Sequence, residues 1–327
     1  MAHGIGFIGL GIMGQRMLAG MGLNGRVRPV AAWDPNPEAA KQALAAHPGI
    51  KLAAEAEELL ADPGVACVYI ASPPASHLAH AGRAFDRGKA VFSEKPLAVD
   101  LGESAAMVAR VQREGHKAAI NFPFASSPAV ETLASHLASG EIGQLERIEI
   151  ETVFSEWPRQ WQAGARWLER RAEGGFVREV VSHFLFLTRR LAGPLSLKTA
   201  KVAYPRESGA AETAIDAELA AGGIPVRLSG GVRGTLADSN GWTACGASGK
   251  VRLHDWIKVS RLRGDGWAAV DLGPGELRQR SVKAQLDGLA DMIEGRPHRL
   301  ASFREGFEVQ QCVEALLGNA ASAGSRS

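Results

Sequence analysis

The chain has 327 residues, 46% of them hydrophobic and 22% charged, and a formal net charge of +2. That length exceeds one small core and suits two domains of ordinary size. The near-balanced charge, with no basic run, argues against a nucleic-acid or membrane-surface partner, and the apolar runs fall short of a membrane span. Cys67, Cys245 and Cys312 are odd in number and widely spaced, so they read as buried thiols of a reducing compartment. Residues 1–4 lead almost directly into an apolar strand, from which we expect no signal peptide and a cytoplasmic location. There is no internal repeat or low-complexity tract, and residues 320–327 are expected to fray.

Residues 5–8 form a short apolar strand, followed by Gly9-Leu10-Gly11-Ile12-Met13-Gly14 and a helical stretch over 15–22. Three glycines in that spacing between a strand and a helix suit a dinucleotide pyrophosphate. Gly9 permits the tight turn, Gly11 admits the phosphates, and Gly14 allows close helix–strand packing. The amides at the helix start, near Ile12 and Met13, would receive the charge. A second strand over 30–34 ends in Asp34. A carboxylate there accepts from the ribose hydroxyls and repels a 2′-phosphate, which favours NAD over NADP. Asp34-Pro35 also suits a helix N-cap, and the two roles can coexist. Pro29 is awkward in an inner strand, so that strand is expected to begin after it.

Alternating strands and helices continue: a short helix closing at Leu59-Leu60, a buried strand over 66–71, a helix over 76–87, and a strand over 90–92. Ser72 and Pro73 leave their strand at its carboxyl end and would line the nicotinamide side. His77, close behind, reads alone as a cap or surface residue. The strand over 90–92 runs into Glu94-Lys95-Pro96, where proline stiffens the backbone of the preceding lysine. A lysine fixed at the carboxyl end of a sheet strand can meet a ligand bound there. A helix over 101–114 and a strand over 118–121 complete a doubly wound parallel α/β sheet of Rossmann type, assigned to residues 1–124.

Residues 125–327 are expected to form an α+β domain with a mostly antiparallel open sheet. A helix over 128–139 leads in, and strands are predicted over 145–154, 197–203, 213–219, 226–232, 242–245 and 251–253. Between the first two strands, Gly174-Gly175 precedes an apolar helix on which Glu179 and His183, four apart, share a face. Trp157, Trp161 and Trp167 could stack on a sugar, though most tryptophans are core. Arg166 and Arg178 could meet substrate charge. Two amphipathic helices, over 282–294 and 303–317, end the chain.

From Val68 onward the chain resembles the Gfo/Idh/MocA oxidoreductases, the glucose–fructose oxidoreductase and inositol dehydrogenase group. The likeness rests on an ordered series: Ala71-Ser72-Pro73-Pro74 with His77, Gly88-Lys89 leading to Glu94-Lys95-Pro96, residues 121–128, residues 139–143, and the glycine pair ahead of Glu179 and His183. Ile5 to Met17 also looks like the opening of the 3-hydroxyacid dehydrogenases, but that family's glycine-rich substrate loop and glycine-flanked catalytic lysine helix are missing. The resemblance implies hydride transfer between NAD(P) and a secondary alcohol of a sugar, polyol or sugar derivative. It implies a triad of Lys95, Glu179 and His183, with Gly9, Gly11, Ile12, Met13, Asp34, Ser72, Pro73, His77, Glu94, Lys95 and Asn121 on the nucleotide side. It also implies a homodimer or homotetramer, no metal, and C-terminal helices that close back on the first domain. Two positions depart from the family pattern. Glu179 replaces the usual aspartate, and Pro123 stands where many relatives carry arginine. Two alternatives remain open at this stage: an NAD-dependent glycosidase working by transient oxidation, and a non-catalytic nucleotide-binding sensor.

Overall fold

The computed structural model describes residues 2–318; the tail expected to fray lies outside them. The chain divides into two compact units, Met1–Ser126 with Arg278–Phe307, and Ser127–Leu277 with Glu308–Ser327. In chain order the first run of elements is β1 (His3–Ile8), α1 (Ile12–Gly20), β2 (Val27–Trp33), α2 (Pro37–Ala46), β3 (Lys51–Leu52), α3 (Ala56–Ala61), β4 (Cys67–Ile70), α4 (His77–Asp86), β5 (Ala90–Ser93), α5 (Leu101–Glu114) and β6 (Ala118–Ile120). There follow α6 (Pro128–Ala138), β7 (Leu145–Phe154), α7 (Ser182–Ala192), β8 (Leu195–Ala203), β9 (Ala214–Ala221), β10 (Ile224–Val232), β11 (Ser239–Gly246), β12 (Gly249–His254), β13 (Lys258–Arg263), β14 (Gly266–Ala269), α8 (Leu277–Glu294) and α9 (Phe303–Leu316).

In the first unit, among the described residues, six strands pair in the order β3-β2-β1-β4-β5-β6, all parallel. Helices cover both faces of such a sheet, which is why β4 and β5 are buried at every position rather than alternating. Ile5, Phe7, Leu18, Tyr69 and Phe92 form the core, and Leu286 and Leu289 from α8 join them. The apolar face of α8 thus belongs to a core built mainly by residues far upstream. Pro29 corrects the expectation drawn from it. β2 starts before it, at Val27, and the ladder with β1 shifts register between Ile5 and Gly6. On its other edge β2 pairs β3 only at Ala31 and Ala32, so the missing proline N–H costs no bond there.

Among the described residues, the second unit holds an eight-stranded sheet, order β14-β13-β12-β11-β7-β10-β9-β8, in which only β7 and β10 run parallel and the other pairs are antiparallel. β7 buries Ile148, Ile150, Thr152 and Phe154 and turns Glu149 and Glu151 outward, the period-two pattern of a sheet with one covered face. The indole of Trp242 in β11 donates to Thr188 Oγ1 in α7 at 2.8 Å, with both side chains wholly buried. Strands β13 and β14 went unpredicted because Lys258–Arg263 and Gly266–Ala269 lack a clean apolar alternation.

Because Leu289 is fully enclosed in the first unit's core, Leu289→Ala should destabilise that unit by about 2–5 kcal/mol. Urea unfolding of the full chain measures this. A change below about 0.5 kcal/mol would mean that α8 does not belong to that core.

Candidate functional site

All strands of the first sheet are parallel, so their carboxyl ends lie along one edge. The strand order reverses between β1 and β4, the switch point where open α/β sheets bind ligands. The glycine loop leaves β1 on one side of that point, and Ser72-Pro73 leaves β4 on the other. Gly9 has φ +96°, and a Cβ on it would meet the Ala71 carbonyl carbon at 2.5 Å. A Cβ on Gly14 would lie 2.2 Å from the Gly9 carbonyl oxygen. Both glycines are therefore imposed by close backbone approach. Gly11 is different: a Cβ there would meet nothing within 4 Å, so its surroundings are open. It caps α1 without a side-chain hydrogen bond, leaving the first-turn amides, including those of Ile12 and Met13, for an outside acceptor. Asp34 Oδ2 accepts from the Leu10 amide at 2.6 Å and Oδ1 from the Asn36 amide at 2.8 Å. Its carboxylate thus ties the loop to the turn that starts α2, and Asn36 supplies the cap of that helix instead.

Beyond β5, Glu94 turns inward and is 6% exposed. Tyr69 donates to its Oε1 at 2.5 Å and Asn121 Nδ2 at 2.7 Å, while Gln285 Nε2 donates to Asn121 Oδ1 at 2.5 Å. Burial, together with the neighbouring carboxylate, drives the Tyr69 hydroxyl well above its ordinary pKa, so the phenol stays a donor. Glu94 and Asn121, both expected beside the nucleotide, hydrogen-bond each other in a buried brace under the turn. Lys95, next along, is half-exposed, and the peptide joining it to Pro96 is cis. His77 corrects the surface reading, for it is 1% exposed. Its ring nitrogens face the carbonyl oxygens of Pro96 and Ser72 at 2.8 Å each. It sits between the lysine turn and the loop after β4, where burial pushes its pKa down and the neutral ring donates to one of the two carbonyls.

In the second unit, the glycine pair follows from crowding. A Cβ on Gly174 would meet the Leu168 and Trp167 carbonyl oxygens at 2.5 Å, and one on Gly175 would strike the Glu212 carboxylate at 2.2 Å. Glu212 is 2% exposed, accepts from the Val177 amide at 2.8 Å, and has its pKa raised by burial. It caps a π-helical turn, Val177–Val181, that runs directly into α7. That turn differs from the regular helix expected here, but it carries Glu179 and delivers His183 to the first turn of α7. Glu179 is half-buried, and its Oε1 accepts from Gln162 Nε2 at 3.1 Å. His183 is 9% exposed, and Trp256 stands edge-to-face with its ring at 5.5 Å. Arg178 is not a substrate contact. It is buried in a two-pronged pair with Glu314 at 2.6 and 2.8 Å and also donates to the Arg171 and Gly174 carbonyls. Trp157 packs on Phe154 and Phe176 and donates to the Leu168 carbonyl, while Trp161 is 43% exposed beneath the Arg159 guanidinium. Arg166 is exposed.

Tyr69, Gln285, Gln162, Glu212 and Trp256 escaped the sequence reading. Each acts across a gap in sequence that no local spacing reveals. The available hints were an isolated glutamine, Gln285, on the apolar face of a helix, and a dense Trp-Pro-Arg-Gln-Trp-Gln run.

A Rossmann-type sheet with a glycine cradle is thus joined in the same chain to a mostly antiparallel α+β unit. Residues 3–122 match the model of the oxidoreductase family with NAD-binding Rossmann fold. It is 33% identical over 190 residues to 1-carboxy-3-chloro-3,4-dihydroxycyclo hexa-1,5-diene dehydrogenase of Comamonas testosteroni, covering 58% of this chain and 47% of that one. It is 29% identical over 210 residues to trans-1,2-dihydrobenzene-1,2-diol dehydrogenase of Bos taurus, covering 64% and 56%. The chain therefore spans about half the length of these curated relatives. A crystal structure of an oxidoreductase from Agrobacterium radiobacter, in complex with NAD+, L-tartaric acid and magnesium, shares the fold. Its TM-score is 0.85 at 19% identity, over 99% of this chain and 98% of that one. No helix among the described residues is long and apolar enough to cross a membrane.

Arg178→Met should cost about 3–5 kcal/mol, because it leaves the Glu314 carboxylate buried and uncompensated, and adding Glu314→Leu should recover most of that loss. Denaturant unfolding of both variants tests the pair. A second prediction concerns pH. Burial lowers the pKa of His77, and that of His80 to about 4, with Arg83 adding to the effect on His80. Their folded values lie below the unfolded value near 6.5, so the unfolded chain binds protons first as pH falls. Stability should be full above about pH 6.5 and decline toward pH 4, with up to one proton taken up per ring. Unfolding midpoints for the wild type and His80→Asn check this; the variant's decline should be shallower.

Proposed function

We propose that the chain is a dehydrogenase that moves a hydride between NAD and a secondary alcohol or ketone on a ring-shaped polyol, sugar or cyclic diol. One observation carries this reading: the glycine cradle and the Lys95 turn occupy the carboxyl edge of one parallel sheet, on either side of its switch point. The residues present fit the dinucleotide. Open space at Gly11 and uncapped amides at the start of α1 suit a pyrophosphate, and Asp34 beside the loop suits ribose hydroxyls more than a 2′-phosphate. When bound, the nicotinamide supplies the hydride acceptor or donor. Lys95 hydrogen-bonds the reacting oxygen and stabilises developing alkoxide charge. His183 carries the proton as general acid or base, since imidazole titrates near working pH. Glu179 orients His183. Trp256, half-exposed beside His183, offers a flat wall against which a substrate ring can pack.

The dehydrogenase names of the relatives, both acting on cyclic diols, favour net dehydrogenation over redox-assisted glycoside cleavage. The same reading takes the enzyme to work in the cytoplasm, in keeping with three buried free thiols, and as a homodimer or homotetramer, as the family resemblance implies.

Calorimetric titration of nucleotide-stripped protein should give tighter binding of NADH than of NADPH. Lys95→Met should lower turnover by at least about 10²- to 10³-fold with little change in NADH affinity. A Lys95→Met enzyme with near-normal turnover would remove Lys95 from the chemistry, and failure to bind either nucleotide would end the oxidoreductase reading.

A further inference from the structure

We propose that Gln162 is the positioning residue for Glu179, fixing a carboxylate that is one methylene longer than the aspartate usual at this place. The inference rests on the functional reading above for what Glu179 does, but on geometry for how it is held.

Gln162 is 2% exposed in the loop between β7 and the glycine pair. Its amide nitrogen donates to Glu179 Oε1 at 3.1 Å, and its amide oxygen accepts from Arg159 Nε at 2.8 Å. The orientation of that amide is forced. A guanidinium can only donate and a carboxylate only accept, so the oxygen must face Arg159 and the NH2 must face Glu179. The backbone holds the same arrangement, with Gln162 N donating to the Arg159 carbonyl at 2.7 Å and Ala165 N to the Gln162 carbonyl at 2.8 Å. Arg159 is itself fixed by aromatic faces, with its guanidinium carbon 4.7 Å from the Trp161 ring centre, 5.7 Å from Trp157 and 5.9 Å from Phe154. A rigid aromatic shelf thus orients an arginine, the arginine orients an amide, and the amide orients the acid.

The chain needs such a device because of the substitution itself. Glutamate has one more rotatable bond than aspartate, so it reaches further but is less determined by its backbone. A π-helical turn adds to this by departing from regular helical spacing at Glu179. The Gln162 amide, donating to Oε1, favours one rotamer of that longer side chain.

The test compares Gln162→Leu, which keeps the volume and removes the donor, with Arg159→Met, Glu179→Gln and the Gln162→Leu/Glu179→Gln double variant. Turnover is measured with NAD over a panel of inositols, aldopyranoses and cyclohexadiene diols, alongside NADH affinity and thermal stability. Gln162→Leu should lower kcat about 10- to 100-fold with NADH affinity unchanged, and Arg159→Met should lower it by less. In the Glu179→Gln background, Gln162→Leu should cost nothing further, because it acts only through the lost carboxylate. Additive losses, or a normal kcat in Gln162→Leu, overturn the proposal. Crystal structures of the wild type and Arg159→Met or Gln162→Leu give a readout independent of turnover, in which the Glu179 carboxylate should leave its wild-type position. An unmoved carboxylate also overturns the proposal. If instead Glu179→Gln itself has normal turnover, or the wild type turns over nothing in the panel, the functional reading fails while the positioning result still stands on the crystal structures.

Discussion

A carboxylate cannot be taken out of water cheaply, and Glu94 is almost wholly out of it. The cost is offset only if donors converge on it from fixed directions, which ties together the elements that supply them. Tyr69 comes from β4, Asn121 from the end of β6, and Gln285, behind Asn121, from α8. The backbone continues the same locking, with Glu94 N donating to the Ile70 carbonyl and Asn121 N to the Ser93 carbonyl. Lys95 follows directly in the chain, and His77 spans Pro96 and Ser72 on the other side. The lysine therefore projects from a turn whose two flanks are both fixed by buried polar groups. The backbone at Lys95 is placed by the satisfaction of Glu94.

The second unit solves a similar problem with the same chemistry. Glu212 is buried against Gly175, where no side chain could fit, and accepts from the amide that opens the helical segment. A carboxylate at a helix start meets both an unsatisfied N–H and the positive end of the dipole. Gly175 is thus explained by the volume of a glutamate 37 residues downstream, and Gly174 by the Leu168 and Trp167 carbonyls, rather than by flexibility. Both units place a buried acid directly before the residues that the sequence marks for chemistry.

What was legible in the sequence follows from the range over which each signal acts. Strand–loop–helix alternation, the Gly9–Gly11–Gly14 spacing and an acid at the end of the second strand are local, and they yielded the parallel sheet nearly strand for strand. β3 was missed because two residues carry no period, and β13 and β14 because Lys258–Arg263 mixes charge with apolar residues. The buried brace that Glu94 and Asn121 form was not legible. Their motif positions are local, whereas their burial depends on Gln285, 164 residues beyond Asn121. Arg178 failed for the same reason: its partner Glu314 lies 136 residues on, so nothing nearby hinted that the charge was already matched.

The turn between β12 and β13 extends this logic to backbone energy. Asp255 and Trp256 adopt φ of +49° and +69°, a conformation costly for a bulky side chain. Asn240 helps hold it, its carbonyl oxygen accepting from the Asp255 amide at 3.3 Å and its Oδ1 from the Trp256 amide at 3.1 Å. A glycine at either position would relieve the strain, and a three-residue hairpin loop has no intrinsic need for tryptophan. What the strained geometry delivers is the indole, set 5.5 Å from both His183 and Phe184. Ordinary packing would not require so large a side chain on so unfavourable a backbone with part of its surface left exposed. The cost is intelligible if the indole must stand at that one place, edge-to-face with the His183 ring, where it limits the ring's motion and keeps water from one of its faces.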